Sequence, residues 1–278
     1  MKKDLIIALD GPAGAGKSSA SRLLAERLGY RYVDTGALYR AVGLLVWEQG
    51  LDPEDATALG PVCEALDVRF EPGSGGQRLF VGQRDVTERI RRPEVSQMAS
   101  RVSAQPLVRA RLLTVQRELG CGGGVVVEGR DIGTVVFPEA DLKVYLDASA
   151  EERSRRRHQE FRHTGRPTSL ALTRRAMQER DERDTGRSHA PLRPAADAVI
   201  LDTTDLSLAE VVDALATYVE NCASGDAKRK KHGARLLQPD GEGGMERREA
   251  GSFPGGTHAH GTQHRTRTNP GSKRADRH

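Results

Sequence analysis

The stretch Gly11-Pro12-Ala13-Gly14-Ala15-Gly16-Lys17-Ser18 matches G-x-x-x-x-G-K-[ST], a pattern that has meaning only between a strand and a helix. Both flanks are present. Leu5 to Leu9 is a continuous apolar run bounded by Asp4 and Asp10, as in a strand buried on both faces. Ala20, Leu23, Leu24, Ala25 and Leu28 recur at helical spacing and stop at Gly29. Glycines in such a loop let the backbone close around phosphate oxygens with its amides pointing inward, and the positive helix end adds field. Gly11 through Ser18, together with Ser19, therefore form the candidate ATP-binding loop. Within it Lys17 is a mobile charge for the β and γ phosphates, and the Ser18 hydroxyl is a candidate Mg²⁺ ligand.

The rest of the chain continues the alternation. Arg31 to Val33 reads as a second strand and Ala37 to Glu48 as a second helix, with Leu38, Val42, Leu45 and Val46 on its apolar face. Val125 to Val127, Leu142 to Asp147 and Ala198 to Leu201 are further strands, and a last helix runs from about Leu206 to Asn221. The predicted class is α/β, with a central parallel five-stranded sheet covered by helices on both faces. Between Leu66 and Ile90 the pattern changes. Val68-Arg69-Phe70, a Gly-rich turn from Gly73 to Gly76, Leu79-Phe80-Val81 and Asp85-Val86-Thr87 predict a small antiparallel insert spanning about residues 66–100. From Ala150 to Arg187 two arginine-rich helical segments flank the break His163-Thr164-Gly165-Arg166-Pro167.

Hydrophobic residues make up 37% of the 278, below the roughly 45 to 50% of globular domains, so part of the chain builds no core. Residues 224–278 carry twelve Lys or Arg and six Asp or Glu, leaving residues 1–223 at −2 out of a total of +4. A folded portion with slightly acidic balance lacks the footprint of a nucleic-acid-binding domain. The basic His/Gly/Arg-rich tail is expected to be disordered, able at most to contact RNA or anionic surfaces weakly. A chain ending at Ala223 is accordingly expected to keep the activity and melting temperature of the full chain, measured side by side. Cys63, Cys121 and Cys222 form no CxxC pair and suit a structural role in a reducing compartment. The apolar run near the N-terminus is too short for a signal peptide, and no stretch is long enough to cross a bilayer. A cytoplasmic monomer without a membrane partner is expected.

A phosphate loop does not say what becomes of the nucleotide. An N-K-x-D motif and a D-x-x-G switch at GTPase spacing are absent, which leaves a small kinase with a second substrate opposite ATP. Asp34-Thr35-Gly36-Ala37-Leu38-Tyr39-Arg40 follows the second strand and Glu128-Gly129-Arg130-Asp131 the third. In a parallel sheet these strand ends share one crevice with the phosphate loop. Arg40 and Arg130 would then face an acceptor phosphate, which forked guanidinium groups hold well. Arg180, Asp184 and Arg187 fall at i, i+4 and i+7, so a helix would present them together; Arg153 and Arg157 do the same on the other arm. A kinase for another small acceptor and a nucleotide-gated nucleic-acid-binding module remain open on these residues.

The phosphate loop, Asp34 to Arg40, Glu128 to Asp131, Gly133-Thr134-Val135-Val136-Phe137-Pro138 and Arg180-Asp181-Glu182-Arg183-Asp184 together resemble the bacterial cytidylate kinase family, over about residues 4 to 221. The resemblance implies a P-loop nucleoside monophosphate kinase fold, with the insert as an acceptor-binding subdomain and the arginine-rich hairpin, about 150–187, as a lid. It implies transfer of the γ-phosphoryl group of MgATP to CMP, and to dCMP. By the same resemblance Thr35, Ser100, Arg109 and Asp131 hold the cytosine end, Arg180 and Asp184 the ribose, and Arg40, Arg130 and Arg187 the acceptor phosphate. Lys17, Arg130 and Arg187 are the catalytic candidates, and Arg153 and Arg157 are candidates for the donor.

Overall fold

The computed structural model describes residues 4–224 apart from 74, 75, 164, 166, 167 and 188. In chain order the elements are β1 (Ile6–Asp10), α1 (Lys17–Leu28), β2 (Arg31–Asp34), α2 (Thr35–Glu48), α3 (Ala56–Glu64), β3 (Val68–Gly73), β4 (Gly76–Val81) and β5 (Arg84–Asp85). They continue with α4 (Pro93–Val102), α5 (Pro106–Gly120), β6 (Val125–Glu128), β7 (Leu142–Asp147), α6 (Ala150–His163), α7 (Leu170–Thr185), β8 (Val199–Asp202) and α8 (Leu208–Ala223).

Five strands form one parallel sheet in the order β2-β6-β1-β7-β8. The central strands β1 and β6 read as unbroken apolar runs because both of their faces are covered, whereas the edge strand β8 leaves Ile200 exposed. Ile7 and Leu9 of β1, Val126 of β6 and Val144 of β7 pack on one face against Leu24 of α1 and Val211, Leu215 and Val219 of α8. Ala8, Val125 and Val127 face the other way, onto Leu113 and Leu119 of α5 and onto Ile132 and Val136. Ile7 and Leu9 are wholly buried, and each such side chain stabilises the fold by about 1.5–3 kcal/mol.

A second core joins Leu38 and Val42 of α2, Leu59 of α3, Leu79 of β4, Val95 of α4 and Leu112 of α5, and it takes in Cys63. Gly43 makes it possible: a Cβ there would lie 2.7 Å from the Ala99 amide nitrogen, so only glycine lets α2 and α4 approach. This core seats the antiparallel sheet β3-β4-β5, in which Gly73 pairs with Gly76.

Boundaries differ from the sequence reading for identifiable reasons. The strand expected over Asp85-Val86-Thr87 ends at Asp85, whose carboxylate accepts the Thr87 amide (3.0 Å) and hydroxyl (2.6 Å) and so turns the chain. Helix α2 starts at Thr35, two residues earlier than expected, because Asp34 accepts the Ala37 amide as an N-cap. Ser207 and Glu210 form a capping box that starts α8 at Leu208. Among the described residues no helix is long and apolar enough to cross a membrane. The tail expected to be disordered lies, beyond Ser224, outside the described residues.

Candidate active site

All the parallel strands end at one edge, and each of the five ends in an acid: Asp10, Asp34, Glu128, Asp147 and Asp202. The phosphate loop leaves this edge directly after Asp10. Gly11 has φ 144°, and a Cβ on it would stand 1.9 Å from the Leu146 carbonyl oxygen, so no side chain fits where the loop leaves the sheet. Lys17 opens α1, is buried, and turns back to donate to the Pro12 carbonyl at 2.7 Å. Burial pulls its ammonium well below the usual lysine range; repulsion from Arg130 and Arg180 adds to this, and attraction to Glu128 and Asp10 opposes it.

Glu128 stands beside the loop. Its Oε1 accepts the Tyr32 hydroxyl at 2.5 Å, and Ser18 acts to lower the acid. Its Oε2 is buried without a hydrogen-bond partner, and burial, reinforced by Asp34, raises the acid to about 7. Thr35 is buried and donates to the Glu128 carbonyl at 2.7 Å, locking β2 to β6 at the crevice.

Opposite the loop, Asp184 gathers the arginines. Only 1% exposed, it pairs with Arg130 at 3.0 Å and with Arg187, and Arg180 stands at 3.8 Å. Burial alone would raise this carboxyl, but Arg130, Arg180 and Arg187 outweigh it and hold the group below the ordinary aspartate range. One expectation needs correction: Arg187 does not share a helical face with Arg180 and Asp184. Helix α7 ends at Thr185, where the Gly186 amide returns to the Glu182 carbonyl, and Arg187 reaches Asp184 from the chain beyond while donating to Ser103 Oγ at 2.7 Å.

Asp131 is buried and paired with Arg109. Burial raises its carboxyl, against the pull of Arg109, Arg187 and Arg130. Arg109 in turn lies 5.9 Å from the centre of the Tyr39 ring. Arg40 pairs with Asp34 at 2.5 Å and is within electrostatic reach of Arg180. The Ser100 hydroxyl accepts from Arg183 at 2.6 Å. Lys17, Arg40, Arg130, Asp131, Arg180 and Arg187 thus stand around one crevice.

The two arginines predicted for the donor side make different contacts, and Arg157 lies within electrostatic reach of Arg180. Arg153 is buried and joins α6 to the phosphate loop, with Asp181 at 2.6 Å and the Ala13 carbonyl at 3.2 Å. Arg157 meets Glu160 at 2.7 Å and the Phe161 ring, both on its own helix. Between them Arg156, which sequence reasoning passed over, donates to Thr203 Oγ1 at 3.0 Å and lies over Gly16. Asp10, Glu128 and Arg183 were also missed. The available signal was a lone acid closing an apolar run, visible for Asp10 and Glu128 but not for Arg183.

A small parallel sheet whose edge carries a phosphate loop on one side and an arginine cluster on the other is built to bring two anionic groups together. The family model described as Cytidylate kinase matches residues 7–221. The cytidylate kinase of Geobacter sulfurreducens is 48% identical over 218 residues, covering 78% of this chain and 94% of that one. Those of Exiguobacterium sibiricum and Carboxydothermus hydrogenoformans are each 50% identical, over 98% and 93% of their own lengths. With a match of this extent enclosing every element of the crevice, the chain belongs to the cytidylate kinase family.

Proposed function

We propose that this protein transfers the γ-phosphoryl group of MgATP to CMP, and to dCMP, giving ADP and CDP or dCDP. The observation that carries the reading is the crevice itself, in which Lys17 lies within electrostatic reach of Arg130 and Arg180 while Arg130 and Arg187 share Asp184. A phosphate oxygen of CMP attacks the γ-phosphorus in line; the new P–O bond forms as the bond to the bridging oxygen breaks, and the electron pair leaves on the β-phosphate. Such a transfer asks for alignment and charge stabilisation, which Lys17, Arg130 and Arg187 supply without a nucleophilic side chain. The donor's phosphates would keep Lys17 protonated against the pull of its burial.

A divalent metal fits the donor side. Ser18 offers a hydroxyl at the start of α1, and the bare Glu128 Oε2 can accept from water on a metal; oxygen donors of this kind suit Mg²⁺. When bound, the ion would neutralise charge on the β and γ oxygens. At the acceptor end, Thr35, Ser100, Arg109 and Asp131 hold the cytosine, Arg180 and Asp184 the ribose, and Arg40, Arg130 and Arg187 the phosphate. Asp131 accepts from the cytosine amino group, where a uracil carbonyl would be repelled. The same reading makes the enzyme a cytoplasmic monomer, whose tail contributes at most weak electrostatic contacts.

Incubation with MgATP and, separately, CMP, dCMP, UMP and a sugar tests this by product detection. CDP and dCDP as the main products are expected, and efficient phosphorylation of the sugar alone would overturn the reading. Asp131→Ala should lower the CMP over UMP preference in kcat/KM by about 10- to 100-fold, the scale of losing a charged hydrogen bond to the substrate, with ATP affinity little changed. Equal losses for both acceptors would show Asp131 to be structural.

A further inference from the structure

Asp10 is buried at the C-terminal end of β1, and both of its carboxylate oxygens are committed. Oδ1 accepts the Ile132 amide at 2.8 Å and Oδ2 the Gly133 amide at 2.8 Å. These are the two peptide groups that follow Asp131, whose own backbone is neither helical nor extended at φ −142°, ψ 26°. The Asp131 carbonyl is held from its other side by the Val135 amide at 2.9 Å and the Val136 amide at 3.2 Å, within a π turn over Ile132–Val136. Turns of this type place side chains that a regular helix would aim elsewhere.

Gly133 packs closely beside the clamp. A Cβ there would stand 3.5 Å from Asp10 Oδ2 and 3.1 Å from the Lys143 Cδ. The Lys143 ammonium is directed to Asp197 and the Pro138 carbonyl, so Asp10 is occupied with backbone amides.

We propose that Asp10 is a positioning residue for acceptor recognition: its carboxylate fixes the backbone that carries Asp131, so the strand that launches the phosphate loop also sets where the acceptor's base is read. This rests on the assignment of Asp131 to cytosine made above. Donor and acceptor sites are thereby registered on one rigid element.

Asp10→Asn is the test, because the isosteric amide keeps one acceptor and turns an NH₂ group against the second peptide N–H. The full chain is assayed with CMP and UMP at saturating ATP, with ADP affinity measured by titration and melting temperature recorded. A core variant on α8, Val211→Ala, serves as a control for general destabilisation. Asp10→Asn is expected to raise KM for CMP about 10-fold or more and to narrow the CMP over UMP preference, with ADP affinity within about threefold of wild type. Val211→Ala should leave that preference unchanged whatever its melting temperature.

An Asp10→Asn enzyme with wild-type KM and preference, or one that loses only ADP affinity, overturns the clamp. Wild-type protein that makes no CDP from CMP would instead refute the parent reading. Should Asp10→Asn fail to fold, amide exchange in the wild-type chain decides: Ile132 and Gly133 must be protected with and without CMP, and fast exchange without CMP defeats the proposal.

Discussion

Lys17→Ala is expected to lower kcat at least about 100-fold, or roughly 3 kcal/mol, the scale for deleting a preorganised charge that stabilises a transferring phosphoryl group. The loss should fall on the rate, because charge on the β–γ bridge develops as that bond breaks, and a lysine held at the helix start meets it without reorganisation. Stability should move differently. The structure holds Lys17 buried, beside Arg130 and Arg180, which disfavours its charged form. Removing that ammonium relieves repulsion, so the variant should melt no lower than wild type. Steady-state rates and thermal melts on the same preparation separate the two effects. A near-wild-type rate would detach the phosphate loop from the chemistry.

Asp184→Ala should be the most destabilising single change in the crevice. It strips the shared carboxylate from Arg130, Arg180 and Arg187. Breaking a buried ion pair from one side costs about 3–5 kcal/mol, because the partner charges remain uncompensated. Arg130 and Arg180 keep some contact with solvent, which places this case near about 3 kcal/mol, or about 10 °C in Tm for a domain of this size.

The pH dependence follows from the lowered pKa of the folded Asp184. Its stabilisation is fully present above the unfolded value, near about 4, and is lost as pH falls through the lower folded value. The melting curves of wild type and variant should therefore separate at pH 7 and converge at acid pH. Equal melting temperatures at pH 7 would show that the arginines are satisfied elsewhere.

Much of the fold was legible because its signals are local. An apolar run followed by a glycine-rich loop and a Lys-Ser pair identifies strand, turn and helix together, and repeated alternation of strands and helices indicates a covered parallel sheet. What escaped were polar ends. Strands expected to close at Val33, Val127 and Leu201 each run one residue further, into Asp34, Glu128 and Asp202. Hydropathy stops at the last apolar side chain, whereas the backbone ladder continues until a side chain caps or turns it. Arg187 failed for a related reason: spacing predicts a shared face only while the helix lasts, and Gly186 ends it first. Arg156 gave no sequence signal, and Arg183, though inside a motif that carries the resemblance, had no role to read, since an arginine in an arginine-rich helix reveals its partner only in three dimensions.

The carboxylates already resident among the arginines, Asp34 and Asp184, carry a final implication for affinity. Under the proposed reading, a nucleotide does not fall into a bare cationic hole, because Arg40, Arg130 and Arg187 already hold carboxylates. Phosphate must trade places with resident anions, so little net attraction is gained from charge alone. Selectivity among anions then rests on whether their oxygens match a fixed pattern of forks, and a free inorganic ion lacking the right shape competes poorly for the same seats.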